Sequence, residues 1–150
     1  VKGWLLHTNV IAEVSGAKPD ERVRRWMSTQ DESILFLSIL TLAEYEKGIH
    51  HLAPSDSRRQ RLRTSVNALE ARFHGSIVPL NNAIVRRWGV ISGETKRMTG
   101  HSPNVIDTFL AATAVENSLY LATRNTQDMI HSGAALFNPW RDDSSAFPIV

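Results

Sequence analysis

Trp4-Leu5-Leu6-His7-Thr8-Asn9-Val10-Ile11 sets a run of apolar residues against a polar triplet and then turns apolar again. Trp4 to Leu6 is too short for a helix and reads as a buried strand. His7, Thr8 and Asn9 fall at its carboxyl end. Val10 to Val14 reads as a short helix, stopped near Ser15-Gly16. The same order recurs along the chain. Ile34 to Leu37 is a second strand, followed by Ser38 as a cap and a helix running to about His51. Ile77 to Leu80 is a third, ending by Pro79, and Asn82 to Met98 follows it as a helix. Leu119 to Ala122 is a fourth, Thr126 to Ile130 a brief helix, and Ala135 to Phe137 a fifth strand. Strands alternating with helices argue for an α/β fold: a mostly parallel central sheet covered on both faces, in three layers.

The helices carry their own spacing. Val23, Trp26 and Met27 share one side of Asp20 to Ser28. Leu62, Val66, Leu69 and Phe73 recur at helical intervals between Asp56 and Phe73, beside Arg58, Arg59, Arg61 and Arg63. Ile84, Trp88, Ile91 and Thr95 form a side of the next helix, where Gly89 and Gly93 lie four apart and suit close packing. Ser102 precedes Pro103 at a first-helical-turn position, before an alanine-rich helix from Val105 to Asn117. The long helices between the third and fourth strands leave open a projecting subdomain or a dimer surface. Residues 1–140 form the domain on this reading, and residues 141–150 a flexible C-terminal tail.

The length of 150 residues suits one domain with its own core. The absence of cysteine excludes disulfides, thiolate catalysis and cysteine-ligated zinc or iron–sulfur sites. It fits a reducing cytoplasm. No apolar run reaches the length of a membrane span, and Val1 to Leu6 is too short for a signal peptide. The formal charge is only +2, so distribution matters more than total. The arginines at 58, 59, 61 and 63 suit contacts with RNA phosphates, or simply a solvated helix face.

Chemistry is expected beyond the carboxyl ends of the strands. His7, Glu44 and Asn125 lie there, and Asp107 sits in the first turns of the helix before the fourth strand. Oxygen ligands gathered at such a point would suit Mg2+ or Mn2+. Taken singly, each residue has a plainer reading. Glu44 fits a solvated or ion-paired helix position, and Asp107 a helix-start carboxylate favoured by the dipole. His7 fits a satisfied structural histidine. Asn9 fits a side-chain brace for its turn, and Asp128 a partner for the short helix near it.

Four motifs taken together resemble a known family. They are Leu5-Leu6-His7-Thr8-Asn9-Val10-Ile11; Ser38 to Gly48, which includes Thr41 and Glu44; Asp107-Thr108-Phe109-Leu110-Ala111-Ala112-Thr113-Ala114; and Ala122-Thr123-Arg124-Asn125-Thr126-Gln127-Asp128. In order and separation they resemble the PIN-domain ribonucleases, especially the VapC group of toxins and its FitB-like relatives. The ending Phe137-Asn138-Pro139-Trp140 is similar to the FitB-like members. The resemblance implies a magnesium- or manganese-dependent endoribonuclease with Glu44, Asp107 and Asn125 at the metal. Thr8, Asn9, Thr41 and Asp128 support that site. It also implies a homodimer, and a VapB-like antitoxin that blocks the site, assembles with the toxin into a heterotetramer or larger complex, and alone contacts operator DNA. His7 stands where the family has its first aspartate, and Asn125 where a further acid is usual. The expectation is therefore an RNA-cleaving toxin lineage with activity lost or reduced in this chain; the alternative is a scaffold that only binds RNA or an antitoxin.

Overall fold

Strand β1 (Trp4–Leu6) lies in the middle of a five-stranded sheet in a computed structural model that describes residues 1–150. The others are β2 (Leu35–Ser38), β3 (Ile77–Val78), β4 (Tyr120–Ala122) and β5 (Leu136–Phe137). Their order is β3-β2-β1-β4-β5 and every pairing is parallel, as expected from the alternation. Leu5 pairs with Phe36 on one side and Leu121 on the other. The chain adds β2 and β3 on one flank, then returns past β1 to add β4 and β5. The order thus reverses between β1 and β4, where an open α/β sheet leaves a crevice at its carboxyl ends.

Alternation along β1 assigns its neighbours. Trp4 and Leu6 face helices α1 (Thr8–Val14) and α2 (Glu21–Ser28), packing with Val10, Ile11, Val23 and Trp26. Leu5 and Leu121 point the other way, onto Leu110, Ala111 and Ala114 of α6 (Val105–Glu116). The small alanines bring α6 close to the sheet. Helix α5 (Asn82–Thr99) lies outside α6, with Ile84 and Ile91 against Ala112 and Trp88 stacked on Phe109 at 5.0 Å. Gly89 and Gly93 are exposed with open space beside them, so they do not serve close packing. Gly3 does: a Cβ there would meet the Ile34 carbonyl oxygen at 2.4 Å, and its absence lets β1 lie against β2.

Helices α3 (Ile39–His51) and α4 (Arg58–Arg72) form a hairpin beside the crevice. Ser38 caps α3 as expected, its hydroxyl accepting from the Leu40 amide at 3.0 Å. Helix α6 is capped by Asn104, whose side chain accepts from the Asp107 amide at 3.0 Å. Pro103 therefore stands before the cap, outside the first turn.

Residues 141–150, expected as a flexible tail, are docked onto the sheet. On the sheet face that carries α2, Phe147 packs against Tyr120 of β4 and Phe137 of β5, with centroids 5.2 and 4.9 Å away. The Tyr120 hydroxyl donates to the Pro148 carbonyl at 2.9 Å, and the Val150 amide donates to Val1. No helix is long and apolar enough to cross a membrane.

Candidate functional site at the carboxyl ends of β1 and β4

His7 leaves β1 in an extended conformation and is the N-cap of α1. Its Nδ1 accepts the Asn9 backbone N–H at 3.0 Å. An amide can only donate, so Nδ1 carries the lone pair and the ring proton sits on Nε2. Nε2 donates that proton to Asp107 Oδ1 at 2.8 Å. Both groups are largely enclosed, with side-chain exposures of 8% and 15%. Asp107 belongs to the first turn of α6, where free N–H groups favour a carboxylate. Both ring nitrogens of His7 are thus engaged, and neither is free to take a proton from a substrate.

Thr8 points the other way. Its hydroxyl donates to Glu44 Oε1 at 2.6 Å and lies 3.2 Å from the hydroxyl of the fully buried Thr41. Glu44 projects from the second turn of α3, half-buried. Its charge is felt next door: burial first, and then Glu44, raise the pKa of the Tyr45 phenol. Consecutive residues of one turn, His7 and Thr8, thus hold acids from two helices that are far apart in sequence. Asn9 reaches further. Its Nδ2 donates to Thr123 Oγ1 at 3.4 Å, so it braces the loop after β4 and leaves its own turn to His7. Thr123 Oγ1 also accepts the Asn125 amide at 3.0 Å. The side chain of Asn125 is half-exposed, and Asp128 is exposed on a one-turn 3-10 helix, Gln127–Met129. Neither side chain makes a hydrogen bond to the acids. Thr123 was not singled out as a site residue. Its place within the fourth motif was the available signal, and full burial of a hydroxyl at a strand end is what identifies it.

A magnesium-type ion requires a nest of oxygen ligands and net negative charge. The residues present do not fit that demand as arranged. The ring N–H of His7 occupies Asp107 Oδ1, the Thr8 hydroxyl occupies Glu44 Oε1, and no three His, Asp or Glu side chains come together in a metal-holding group. A hydrogen-bond donor stands where a further oxygen ligand would be needed.

The arginines of α4 are mostly engaged within the fold. Arg58 pairs with Asp56 at 2.8 Å, Arg59 donates to the Leu52 carbonyl at 3.1 Å, and Arg63 pairs with Glu46 on α3. Only Arg61 of the four is exposed without a hydrogen-bond partner. Their residue types suggested phosphate contacts, but their geometry holds α4 to α3 and to the turn before it.

Comparison with known proteins agrees with this architecture. The PIN-domain family profile matches residues 5–131. The chain is 33% identical over 141 residues to Toxin FitB of Neisseria gonorrhoeae, covering 92% of this chain and 99% of that one. It is 31% identical to VapC ribonuclease Y4jK of Sinorhizobium fredii, covering 91% and 96%. The solved structure of FitAB bound to an IR36 DNA fragment superposes with a TM-score of 0.83 at 30% identity, over 93% and 97% of the two chains. This chain is a PIN domain of the FitB and VapC toxin family. The resemblance drawn from four motifs is thereby confirmed, as is the three-layer PIN fold. In this PIN domain the acids come from α3 and α6, and the turn after β1 that hydrogen-bonds to them has His7 at its head.

Proposed function

We propose that this PIN domain belongs to an RNA-cleaving toxin lineage and that its own hydrolytic activity is impaired by His7. One observation carries the reading: the 2.8 Å bond from His7 Nε2 to Asp107 Oδ1 at the mouth of the crevice. In such a lineage a bound Mg2+ or Mn2+ supplies charge neutralisation at a phosphodiester. Here Glu44, Asp107 and Asn125 are the residues available to it, and His7 opposes it with a ring proton. The lack of cysteine fits action in the cytoplasm.

The test compares this chain with His7→Asp by magnesium titration calorimetry and by cleavage of total RNA. The expected outcome is weak magnesium binding and little cleavage for His7, with both restored in His7→Asp. Misplacing a reacting group by about 1 Å can cost about a hundredfold in rate, so the contrast is expected to be large. Equal binding and equal cleavage by the two forms would reject the reading.

The partner we assign is a VapB-like antitoxin, and the surface for it adjoins the acids. Three hollows share Gly48, whose missing side chain leaves open space. One, of about 520 Å³, includes Glu44, Lys47, His51 and Ile106. The next lies between Thr8, Glu44 and Leu62, and the third reaches Leu52, Arg58 and Arg61. An antitoxin segment laid along this groove would place an arginine or lysine against Glu44. Its complex needs no metal: binding in EDTA is expected to persist, and to weaken on Glu44→Gln. We further assign a homodimer that joins antitoxin in a heterotetramer or larger complex, with operator DNA reached through the antitoxin only. Loss of binding in EDTA would argue against this mode.

A further inference from the structure

Three of the four arginines at the start of α4 are engaged within the fold, which directs attention to cations elsewhere around the crevice. Arg124 lies between Thr123, which accepts from Asn9, and Asn125. It is exposed and makes no ion pair. Its guanidinium is instead held 5.1 Å from the ring centre of Trp140, which is half-buried behind β5. Such a cation–π contact fixes the direction of a long side chain without using its N–H donors. Trp140 is fixed in turn: its backbone amide donates to Asn138 Oδ1 at 2.9 Å, and Asn138 is buried. The result is an oriented, unpaired cation on the loop that follows β4 and is braced by Asn9, with part of an aromatic face beside it.

That combination suits single-stranded nucleic acid. Phosphates meet an arginine fork, and exposed bases stack on aromatic or guanidinium planes. An acidic crevice repels such a chain, and a cation on a neighbouring strand-end loop helps bring the backbone in. Building on the RNA reading above, we infer that Arg124, held over Trp140, is the substrate-positioning residue of this PIN domain, binding a phosphate of single-stranded RNA beside Asn125. The reading on α4 is thereby replaced: Arg58 and Arg63 hold helices, whereas Arg124 holds substrate.

The test uses the full chain in EDTA with a short fluorescein-labelled single-stranded RNA, titrated over a range of salt. Arg124 is exposed, so Arg124→Gln is expected to stay folded, with a melting temperature close to that of the parent. It is expected to weaken binding about three- to tenfold and to reduce the slope of log affinity against log salt by about 0.7, the value for one phosphate contact on a single strand. Trp140→Leu keeps the charge but frees it, so affinity falls while the slope stays near that of the parent. Arg58→Gln changes neither quantity. Parent-like binding by Arg124→Gln would overturn the inference while leaving the RNA reading intact. So would a loss of antitoxin affinity alone, which would make Arg124 a protein contact. Failure of the parent chain to bind RNA at all would overturn both.

Discussion

His7 does two jobs with one ring, and they are separable. As an N-cap it satisfies the Asn9 amide, and through Nε2 it satisfies Asp107. His7→Ala loses both and is expected to cost about 1–2 kcal/mol, since cap loss alone is worth that order. His7→Asn keeps a capping acceptor but does not reach Asp107, so its cost measures the second bond by difference. His7→Asp is the more telling change. It retains a cap but sets a carboxylate beside Asp107 in place of a donor, and close carboxylates repel. Its metal-free form is expected to melt below the parent. Magnesium at a hundred times its dissociation constant would then return about 2.7 kcal/mol. The parent is expected to melt at the same temperature with and without magnesium. Thermal melts of both forms in EDTA and in magnesium check this independently of any cleavage assay, and an equal magnesium response in the two would refute it.

The α3–α4 hairpin is an element held partly by charge, and so it carries a pH dependence. Glu46 is held below its ordinary pKa of 4.5, chiefly by its hydrogen bonds from Arg63. Asp56 falls from 3.8 to about 2, chiefly through its side-chain hydrogen bond from Arg58. A depressed carboxylate stabilises the fold above its unfolded value and loses that contribution as pH drops through the folded one. For Asp56 the window therefore runs from 3.8 down to about 2. Both acids are only partly buried and remain open to solvent screening, so the effect is small at any one site. Glu46→Gln with Asp56→Asn is expected to flatten the acid limb of a pH–stability curve and to change little at neutral pH. An unchanged acid limb would show that these pairs do not couple to folding. Gly3→Ala belongs to the same scale. The clash with the Ile34 carbonyl is with backbone, which cannot swing aside, so β1 and β2 are expected to separate locally and the protein to lose several kcal/mol, as strained core substitutions do (roughly 1–3 kcal/mol or more). Denaturant unfolding of the variant measures it.

Across the whole molecule, one layer is completed by an unexpected piece. On the α1–α2 face of the sheet, the C-terminal segment packs against β4 and β5. Phe147 joins an aromatic cluster with Trp4, Tyr120 and Phe137, and Ile149 packs against the same core. Phe147→Ala is expected to cost about 2 kcal/mol, below the ~3–5 kcal/mol of a fully buried ring because Phe147 is half-exposed. Removal of residues 141–150 is expected to cost more than Phe147→Ala. A truncated chain as stable as the parent in urea would show the segment to be dispensable.

The five strands and six helices were legible because buried parallel strands are short apolar runs and their covering helices repeat with a period near 3.6. The family was legible because four motifs kept their order. The start of α6 at Val105 agrees with the sequence reading, and only Pro103 falls outside the first turn because Asn104 is the cap. The arginine run and the last ten residues escaped sequence reading for a common reason. Charge and polarity along a chain do not say what lies across from it: Glu46, Asp56 and Leu52 engage the arginines, and Phe137 of β5 receives Phe147. The site was half-legible in the same way. Sequence alone singled out His7, Glu44, Asp107 and Asn125 as the candidates for chemistry. Only the tertiary structure decided which of them pair, because the crossover from β1 out to β3 and back to β4 brings together side chains as far apart as His7 and Asp107, and hydrogen-bond direction then keeps the ring proton of His7 on Nε2, donated to Asp107.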